Sequence, residues 1–237
     1  VGNVGNGTHS FGGAGIPYGL EEYRARNIYF TVRRAWLALL NRAHVPAAKA
    51  TVQYRHGDNS DQTWPHFSRN TQKIYLPGVG QDWSSYNKQK TLLHELGHDY
   101  HWELYGNWLP TTYCPSPHYV NGASHDNCAW TEGFATFVAL YVNQDPNAYG
   151  YNYETLPSCS SFTCGDDVEG RVTASLYDMW DSNNESPNDV YTAGLSGGKD
   201  KIWDTIDVGG HHSRFWNFWT SYRTRYPKYS AGHDPCL

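Results

Sequence analysis

The chain has 237 residues, which fits one large domain or two small ones and allows a sizeable buried core. Its net charge of -5 comes from acidic and basic residues that are mixed along the chain, so nothing suggests a nucleic-acid partner. No apolar run approaches the roughly 20 residues of a membrane-spanning helix, and no membrane span is predicted.

Aromatic and small polar residues are abundant in this chain, whereas lysine and arginine are scarce. It contains 10 Trp and 19 Tyr but one Met, and Lys and Arg together number 18. This composition, together with five Cys, favours a secreted, extracellular protein. No signal peptide is visible from Val1, which indicates a processed form and leaves open whether a prosegment was removed.

The cysteine spacing suggests two disulfides. Cys159 and Cys164 are close enough in sequence for a small loop, and Cys114 and Cys128 could close another. Cys236 is then left over, either free or paired outside this chain, and sequence alone does not fix the connectivity. The absence of a Cys-x-x-Cys pattern argues against a structural zinc ribbon.

The N-terminal part begins with a glycine-rich segment and continues with one helix and two strands. Seven glycines within residues 1–19 predict a loop-like segment ahead of the folded domain. Apolar residues at helical spacing predict a helix from residue 21 to about 43. Residues 50–55 and 71–76 alternate as half-buried strands do, and the sequence at 56–61 between them is typical of a turn.

The segment His94-Glu95-Leu96-Gly97-His98 is the most informative stretch of the chain. It matches the HExxH pattern and lies in a predicted helix from residue 87 to about 105. Helical residues four apart share a face, so both imidazoles could bind one Zn²⁺ while Glu95 reaches a metal-bound water. Gly97 would suit the close approach of another backbone. The pattern therefore predicts a hydrolytic zinc site.

A catalytic zinc needs a third protein ligand, and the sequence offers two candidates. His101 shares the helix face but lies about 10 Å along the axis from His94, so we expect it to support the site or lie at the surface. Glu132 belongs to a second predicted helix, over residues 130–141, that is otherwise apolar. A lone carboxylate there is costly to bury unless it binds a cation. The alternative is a helix-start charge favoured by the dipole.

The HELGH sequence followed by Trp-Thr-Glu-Gly-Phe-Ala at 130–135 resembles the gluzincin superfamily of zinc metallopeptidases, which includes thermolysin-like enzymes and zinc aminopeptidases. The resemblance implies that His94, His98 and Glu132 hold the zinc and that Glu95 is the general base. Weaker similarity to uncharacterised secreted bacterial relatives extends through residues 170–182, 202–204 and 215–219.

The resemblance also implies an α+β, zincin-like fold for a single domain over residues 20–237. An N-terminal α+β subdomain would cover about 20–106, and a mainly helical C-terminal subdomain about 107–237. In the superfamily, a strand before the HExxH helix lies at the cleft edge and pairs with the substrate main chain. Its best match here is Lys73–Leu76, with an ordinary sheet strand as the alternative.

Two departures from the aminopeptidase pattern favour an endopeptidase. Between His98 and Glu132 lie 33 residues, more than in aminopeptidases, and this insertion carries Cys114 and Cys128. The chain also lacks the Gly-x-Met-x-Asn stretch with which aminopeptidases hold a free amine. We therefore expect a protein or peptide substrate that is cleaved internally.

Further site residues remain open at this stage. Four residues are candidates for the donor that stabilises the oxyanion, namely Tyr177, Tyr191, His211 and His212. Three are candidate acceptors for the second N–H of a zinc-binding histidine, namely Asp178, Asp181 and Thr136. The oxygen-rich residues 181–189 could bind Ca²⁺, although a plain polar turn is the alternative. An aromatic cluster over 215–222 at helical spacing predicts core packing more than a sugar-binding platform.

The sequence thus predicts a secreted zinc metallopeptidase of undetermined oligomeric state. One rival is an extracellular structural or adhesive protein that retains a zincin fold. A second rival is a carbohydrate-binding or wall-associated module, which the Trp and Tyr content suggests. The complete set of His94, Glu95, His98 and Glu132 argues against a degenerate site, since an inactive copy has no need of Glu95.

Overall fold

A computed structural model describes residues 20–43, 50–54, 64–78, 81–110, 114, 118–156, 164–181 and 198–227. The fold is α+β, with helices dominating over two small sheets. The helices are α1 (Leu20–Ala38, continued by a π-helical turn at Leu39–Ala43), α2 (Tyr86–Leu104), α3 (Asp126–Asn143), α4 (Glu169–Trp180), α5 (Gly198–Val208) and α6 (Phe215–Arg225). The strands are β1 (Val52–Tyr54), β2 (His66–Ser68), β3 (Lys73–Leu76), β4 (Asn147–Ala148) and β5 (Tyr151–Asn152).

Helices α2, α3 and α4 pack side by side at the centre of the described fold. Helix α3 is apolar on nearly every side and almost entirely buried, as expected for a helix enclosed by others. A Cβ at Gly97 of α2 would lie 2.6 Å from the Cα of Ala135 on α3. A Cβ at Gly133 of α3 would lie 2.8 Å from Val172 on α4. The prediction that Gly97 permits a close backbone approach is confirmed.

The larger sheet has the strand order β1–β3–β2, so β3 is its central strand. It pairs parallel with β1 and antiparallel with β2. The prediction that Lys73–Leu76 forms the edge strand at the cleft is therefore wrong. The alternating burial along β3 shows that one face of the sheet is covered. Central and edge strands both show this alternation, so it could not distinguish the two positions. The edge position belongs to β2, whose short His-Phe-Ser sequence was not predicted as a strand.

The C-terminal aromatic cluster belongs to the core, as its spacing predicts. Phe215, Phe218, Trp219 and Tyr222 are fully buried on α6. The ring of Phe218 stacks on Trp130 of α3 with 5.2 Å between ring centroids. A row of exposed rings for sugar binding is therefore not what this helix provides.

Strands β4 and β5 form a two-stranded hairpin after α3. Tyr149 and Gly150 connect them with φ values of 52° and 84°. Positive φ at both central residues is characteristic of a type I′ turn, in which a non-glycine residue such as Tyr149 is uncommon.

The described residues contain one complete disulfide, between Cys114 and Cys128, which confirms that predicted pair. Cys164 is also disulfide-bonded. The predicted pair of Cys159 with Cys164 involves a residue outside the described residues, as does the predicted leftover Cys236. No helix in the described part of the chain is long and apolar enough to cross a membrane. The glycine-rich residues 1–19 lie outside the described residues.

Candidate metal centre

Helices α2 and α3 bring His94, His98 and Glu132 together. The two histidines lie one turn apart on α2, and their Nε2 atoms are 3.1 Å apart. The Oε2 atom of Glu132 lies 3.1 Å from Nε2 of His94 and 3.2 Å from Nε2 of His98. The three ligand atoms therefore form a nearly equilateral triangle.

The dimensions and chemistry of this triangle fit a zinc ion. Two ligands on one tetrahedral ion with bonds of about 2.0–2.1 Å lie roughly 3.3 Å apart, close to the separations of His94, His98 and Glu132. Two imidazoles and a carboxylate are also a donor set of known catalytic zinc sites. The side chains are about seven-eighths buried, at 12% and 13% exposure, which leaves one side open.

The electrostatics of the cluster favour a positive charge between its members. Burial alone would lower the pKa of His98, but the charge and hydrogen bond of Glu132, with smaller contributions from Glu95 and Glu169, raise it to about 9. Burial alone would raise the pKa of Glu132, but both histidines hold it well below its usual range. The raised pKa of His98 and the lowered pKa of Glu132 mean that the cluster favours a positive charge beside the buried carboxylate. A bound cation would supply this charge in place of a proton.

A second layer of hydrogen bonds fixes the orientation of His94. Its Nδ1 lies 3.0 Å from Oγ1 of Thr136, which donates in turn to Oε1 of Glu169 at 3.4 Å. Glu169 is the first residue of α4 and is 4% exposed. Thr136 is thus the predicted acceptor that contacts His94, whereas Asp178 and Asp181 lie toward the opposite end of α4.

The same carboxylate of Glu169 also holds His118. Nδ1 of His118 lies 2.9 Å from Oε2 of Glu169, and its Nε2 lies 3.8 Å from Oε2 of Glu132. The hydrogen bond to Glu169 raises the pKa of His118, which favours the ring as a hydrogen-bond donor. Sequence reasoning missed His118 and Glu169, because neither shares a motif or a helical spacing with the HExxH segment.

Tyr149 approaches the cluster from the β4–β5 hairpin. Its ring centroid lies 6.1 Å from that of His94, with the two rings perpendicular. Desolvation, followed by the charges of Glu95, Glu169 and Glu132, raises the pKa of Tyr149 well above 10, although the residue keeps 44% of its surface exposed. The phenol therefore stays protonated and can donate a hydrogen bond. No sequence signal marked this turn residue.

The HExxH glutamate contacts strand β2. Oε2 of Glu95 accepts a hydrogen bond from the backbone N–H of Phe67 at 2.9 Å. Phe67 stands opposite Ile74 of β3, whose own N–H bonds to Thr51 on the side of β1. The main-chain groups of Phe67 therefore point away from β3, toward the free edge of β2.

Comparison with protein families relates this arrangement to known proteins. The family model described as the Mycolysin C-terminal domain matches residues 37–234, a span that contains all three candidate ligands and Glu95. The chain belongs to this family. The family is a domain of thermolysin-like metallopeptidases, and relatives of this kind use zinc and are secreted. No curated protein and no solved structure matches the chain.

Membership of the Mycolysin C-terminal domain family indicates a relation to secreted metallopeptidases. The family description names a domain and not a reaction, so it does not by itself assign catalysis to this chain. The case for activity therefore rests on the geometry of the cluster.

Of the predicted oxyanion donors that the structure describes, Tyr177 and His212 are buried, whereas His211 is exposed. Tyr177 is buried beside Trp180, and the ring of His211 stacks on Trp108 at 4.6 Å. His212 is buried and bonds to Tyr105 and Ser221. Tyr191 and most of the predicted calcium segment at 181–189 lie outside the described residues. The donors that the structure brings to the cluster are Tyr149 and His118.

His101 neither supports the cluster nor lies at the surface, which corrects the prediction. It is 0% exposed and packs against the rings of Tyr105, Trp130 and Phe134. Burial holds its pKa well below 6.5, and neither ring nitrogen has a hydrogen-bond partner among the described residues. His101 is buried because this part of α2 packs against the aromatic residues of α3.

Proposed function

We propose that this chain is a secreted zinc endopeptidase with a zincin-like fold. His94, His98 and Glu132 would hold the ion, and Glu95 would be the general base. The observation that carries the proposal is the triangle of ligand atoms with sides of 3.1–3.2 Å, formed by the HExxH helix and its neighbour. A bound zinc would activate water and polarise a carbonyl oxygen.

The residues of the chain supply the proton transfers. Glu95 accepts a proton from the attacking water and then delivers it to the leaving amine, as expected of a carboxylate next to a zinc ligand. The N–H of Phe67 orients this carboxylate. Glu169, through Thr136, keeps the Nδ1 proton on His94 and thereby leaves Nε2 as the ligand atom.

Tyr149 and His118 are suited to stabilise the oxyanion. Both can donate a hydrogen bond, and they approach the cluster from the hairpin and from the insertion between α2 and α3. Glu169 accepts a hydrogen bond from the Nδ1–H of His118, and Nε2 of the same ring faces Glu132. Such preorganised donors act where charge develops in the transition state.

The free edge of β2 is the surface on which we place the substrate main chain. Among the described residues, no strand pairs with β2 on the side opposite β3. The outward-facing main-chain groups of Phe67 lie next to Glu95, so an extended peptide that adds to this edge would pass the candidate base. Main-chain pairing of this kind tolerates varied substrate sequences, which suits an endopeptidase.

An internally quenched peptide blocked at both termini tests this proposal. The zinc-loaded wild type should cleave it, which an aminopeptidase cannot do because the free amine is absent. Glu95→Gln should lower kcat by about 10²–10⁴-fold, the contribution of general acid–base catalysis. Glu103→Gln, a charge-matched change near the end of α2, serves as the control and should stay near wild type.

The outcomes separate the proposal from its rivals. A wild-type chain that binds zinc but cleaves neither the blocked peptide nor casein would favour the structural or adhesive alternative. Cleavage of free-amine peptides alone would indicate an aminopeptidase. The buried aromatic cluster of α6 gives no support to a carbohydrate-binding module.

A further inference from the structure

The hairpin that carries Tyr149 is too short to hold its own shape. Strands β4 and β5 have two residues each, far below the length at which an isolated hairpin is stable. Tyr149 also adopts a φ of 52°, a conformation that non-glycine residues keep only where the surroundings impose it. Contacts from elsewhere must therefore define the position of this turn.

Helix α2 supplies such contacts through a buried lysine. Lys90 is 4% exposed, and its Nζ donates to Oδ2 of Asp145 at 3.1 Å and to the carbonyl oxygen of Asn147. The ammonium also lies 4.1 Å from the centroid of the Tyr86 ring, whose hydroxyl donates to the same carboxylate. The carboxylate, the carbonyl oxygen and the aromatic ring together compensate the burial of the ammonium.

Asp145 carries the connection from Lys90 into the hairpin. Its Oδ1 accepts from the backbone N–H of Asn147 at 3.0 Å and from the side-chain amide of Asn147 at 2.7 Å. Asn147 is the first residue of β4 and lies two positions before Tyr149. The base of the hairpin is thus tied to α2 at both the carboxylate and the main chain.

Lys90 lies on the same face of α2 as the two histidine ligands. Lys90 precedes His94 by four residues, so one helix face carries the lysine and both histidines. The hairpin is consequently fixed to the same rigid element that fixes the ligands. We propose that Lys90 and Asp145 form a clamp that positions the Tyr149 phenol over the metal centre, an inference that rests on the proposed peptidase function.

Two measurements on the zinc-loaded 237-residue chain test this clamp. Lys90→Met removes the ammonium and keeps the bulk, while Lys88→Met is the matched control, since Lys88 lies over the Trp83 ring instead. Amide hydrogen exchange should become about tenfold or more faster across 145–153 in Lys90→Met and stay unchanged in Lys88→Met. Equal exchange in the two variants would overturn the clamp.

The second measurement asks whether the clamp acts through Tyr149. We expect Lys90→Met to lower kcat about tenfold while KM changes less than about twofold. In a Tyr149→Phe background, the same substitution should lower kcat further by less than about twofold. An equal loss in both backgrounds would show a general structural effect and overturn the positioning role. If Lys90→Met does not fold, Asp145→Asn replaces it, because it retains an acceptor for Asn147 and loses the charge.

The proposed function and the clamp can fail separately. A wild-type chain without turnover would overturn the peptidase proposal, while the exchange comparison would still decide whether Lys90 holds the hairpin. An active wild type with unchanged exchange in Lys90→Met would overturn the clamp alone.

Discussion

Oγ1 of Thr136 lies 3.0 Å from Nδ1 of His94, whereas Nε2 of the same ring faces Glu132. The Thr136 hydroxyl also donates to the buried carboxylate of Glu169 and thereby links His94 to it. The carboxylate can only accept, so the Thr136 hydroxyl donates to Glu169 and accepts from Nδ1–H of His94. This arrangement fixes the tautomer of His94 with its proton on Nδ1. A threonine hydroxyl therefore connects His94 to a carboxylate on a third helix.

Removal of the Thr136 hydroxyl should weaken zinc binding. Thr136→Val keeps the shape of the side chain but leaves the Nδ1 proton of His94 without an acceptor. We expect zinc affinity to fall by about 10–100-fold, the usual effect of losing such a partner, in competition titrations with a chelator. Thr136→Ser should remain within a few-fold of wild type, and equal affinities in all three proteins would contradict the role of the hydroxyl.

Gly97→Ala should destabilise the fold and weaken metal binding together. The new Cβ would lie 2.6 Å from the Cα of Ala135, so α2 and α3 would have to separate, which also moves Glu132 away from the histidines. Overpacking of about 1–3 kcal/mol outweighs a gain in helix propensity of at most about 1 kcal/mol.

Thermal denaturation and zinc titration of Gly97→Ala measure both effects. Gly122→Ala is the control, because its Cβ would meet Tyr119 at an ordinary 3.6 Å. A Gly97→Ala midpoint equal to that of the control would show that the helices can adjust without cost.

Tyr149→Phe should slow catalysis without loss of metal. Removal of one preorganised oxyanion donor lowers kcat by about 10²–10³-fold in other hydrolases, and we expect a loss of about this size with zinc content unchanged. Steady-state kinetics on the blocked peptide provide the measurement. Tyr151→Phe, two residues further along the same hairpin, should leave kcat within about twofold of wild type, and a matching loss there would argue against a specific role for Tyr149.

The contribution of His212 to stability should fall as the pH drops below about 6.5. Burial, with a smaller contribution from His211, lowers the pKa of His212 from 6.5 to about 4. Between these values the unfolded chain binds a proton that the folded chain does not, so the free energy of unfolding decreases as pH falls through 6.5 and levels off below about 4. The full loss from this residue is about 3 kcal/mol, and about 2 kcal/mol is lost by pH 5.

Denaturant titrations at pH 7.5 and pH 5 check this dependence. His212→Gln cannot be protonated, so as the pH falls from 7.5 to 5 the free energy of unfolding should decrease by about 2 kcal/mol more in wild type than in the variant. The same change in both proteins would assign the acid sensitivity to other groups, of which the buried His101 is the first to test.

Local spacing along the chain carried the successful predictions. The pairing of His94 with His98 on one helix, the burial of α3 around Glu132 and the burial of the α6 aromatic residues all follow from helical periodicity. The Cys114–Cys128 disulfide was predicted from proximity within one insertion.

Tertiary contacts account for what the sequence could not predict. Three residues reach the cluster from other parts of the fold, namely His118 from the insertion, Tyr149 from a turn and Glu169 from the start of α4. None of them lies on the HExxH helix, so helical periodicity could not predict their positions. The alternation in β3 reports a covered face but not the order of strands, so β2 was missed as the edge. His101 shares a helix face with the ligands, yet its depth depends on α3.

Zinc content and casein cleavage should be measured on the same preparations of wild type, Glu95→Gln and Glu132→Gln, because together they decide whether the cluster is a catalytic zinc site. We expect about one zinc per chain in wild type and Glu95→Gln, cleavage by wild type alone, and weakened zinc binding in Glu132→Gln. A wild-type chain that binds no zinc in the absence of chelators, or a Glu95→Gln variant that cleaves casein as fast as wild type, would contradict this assignment.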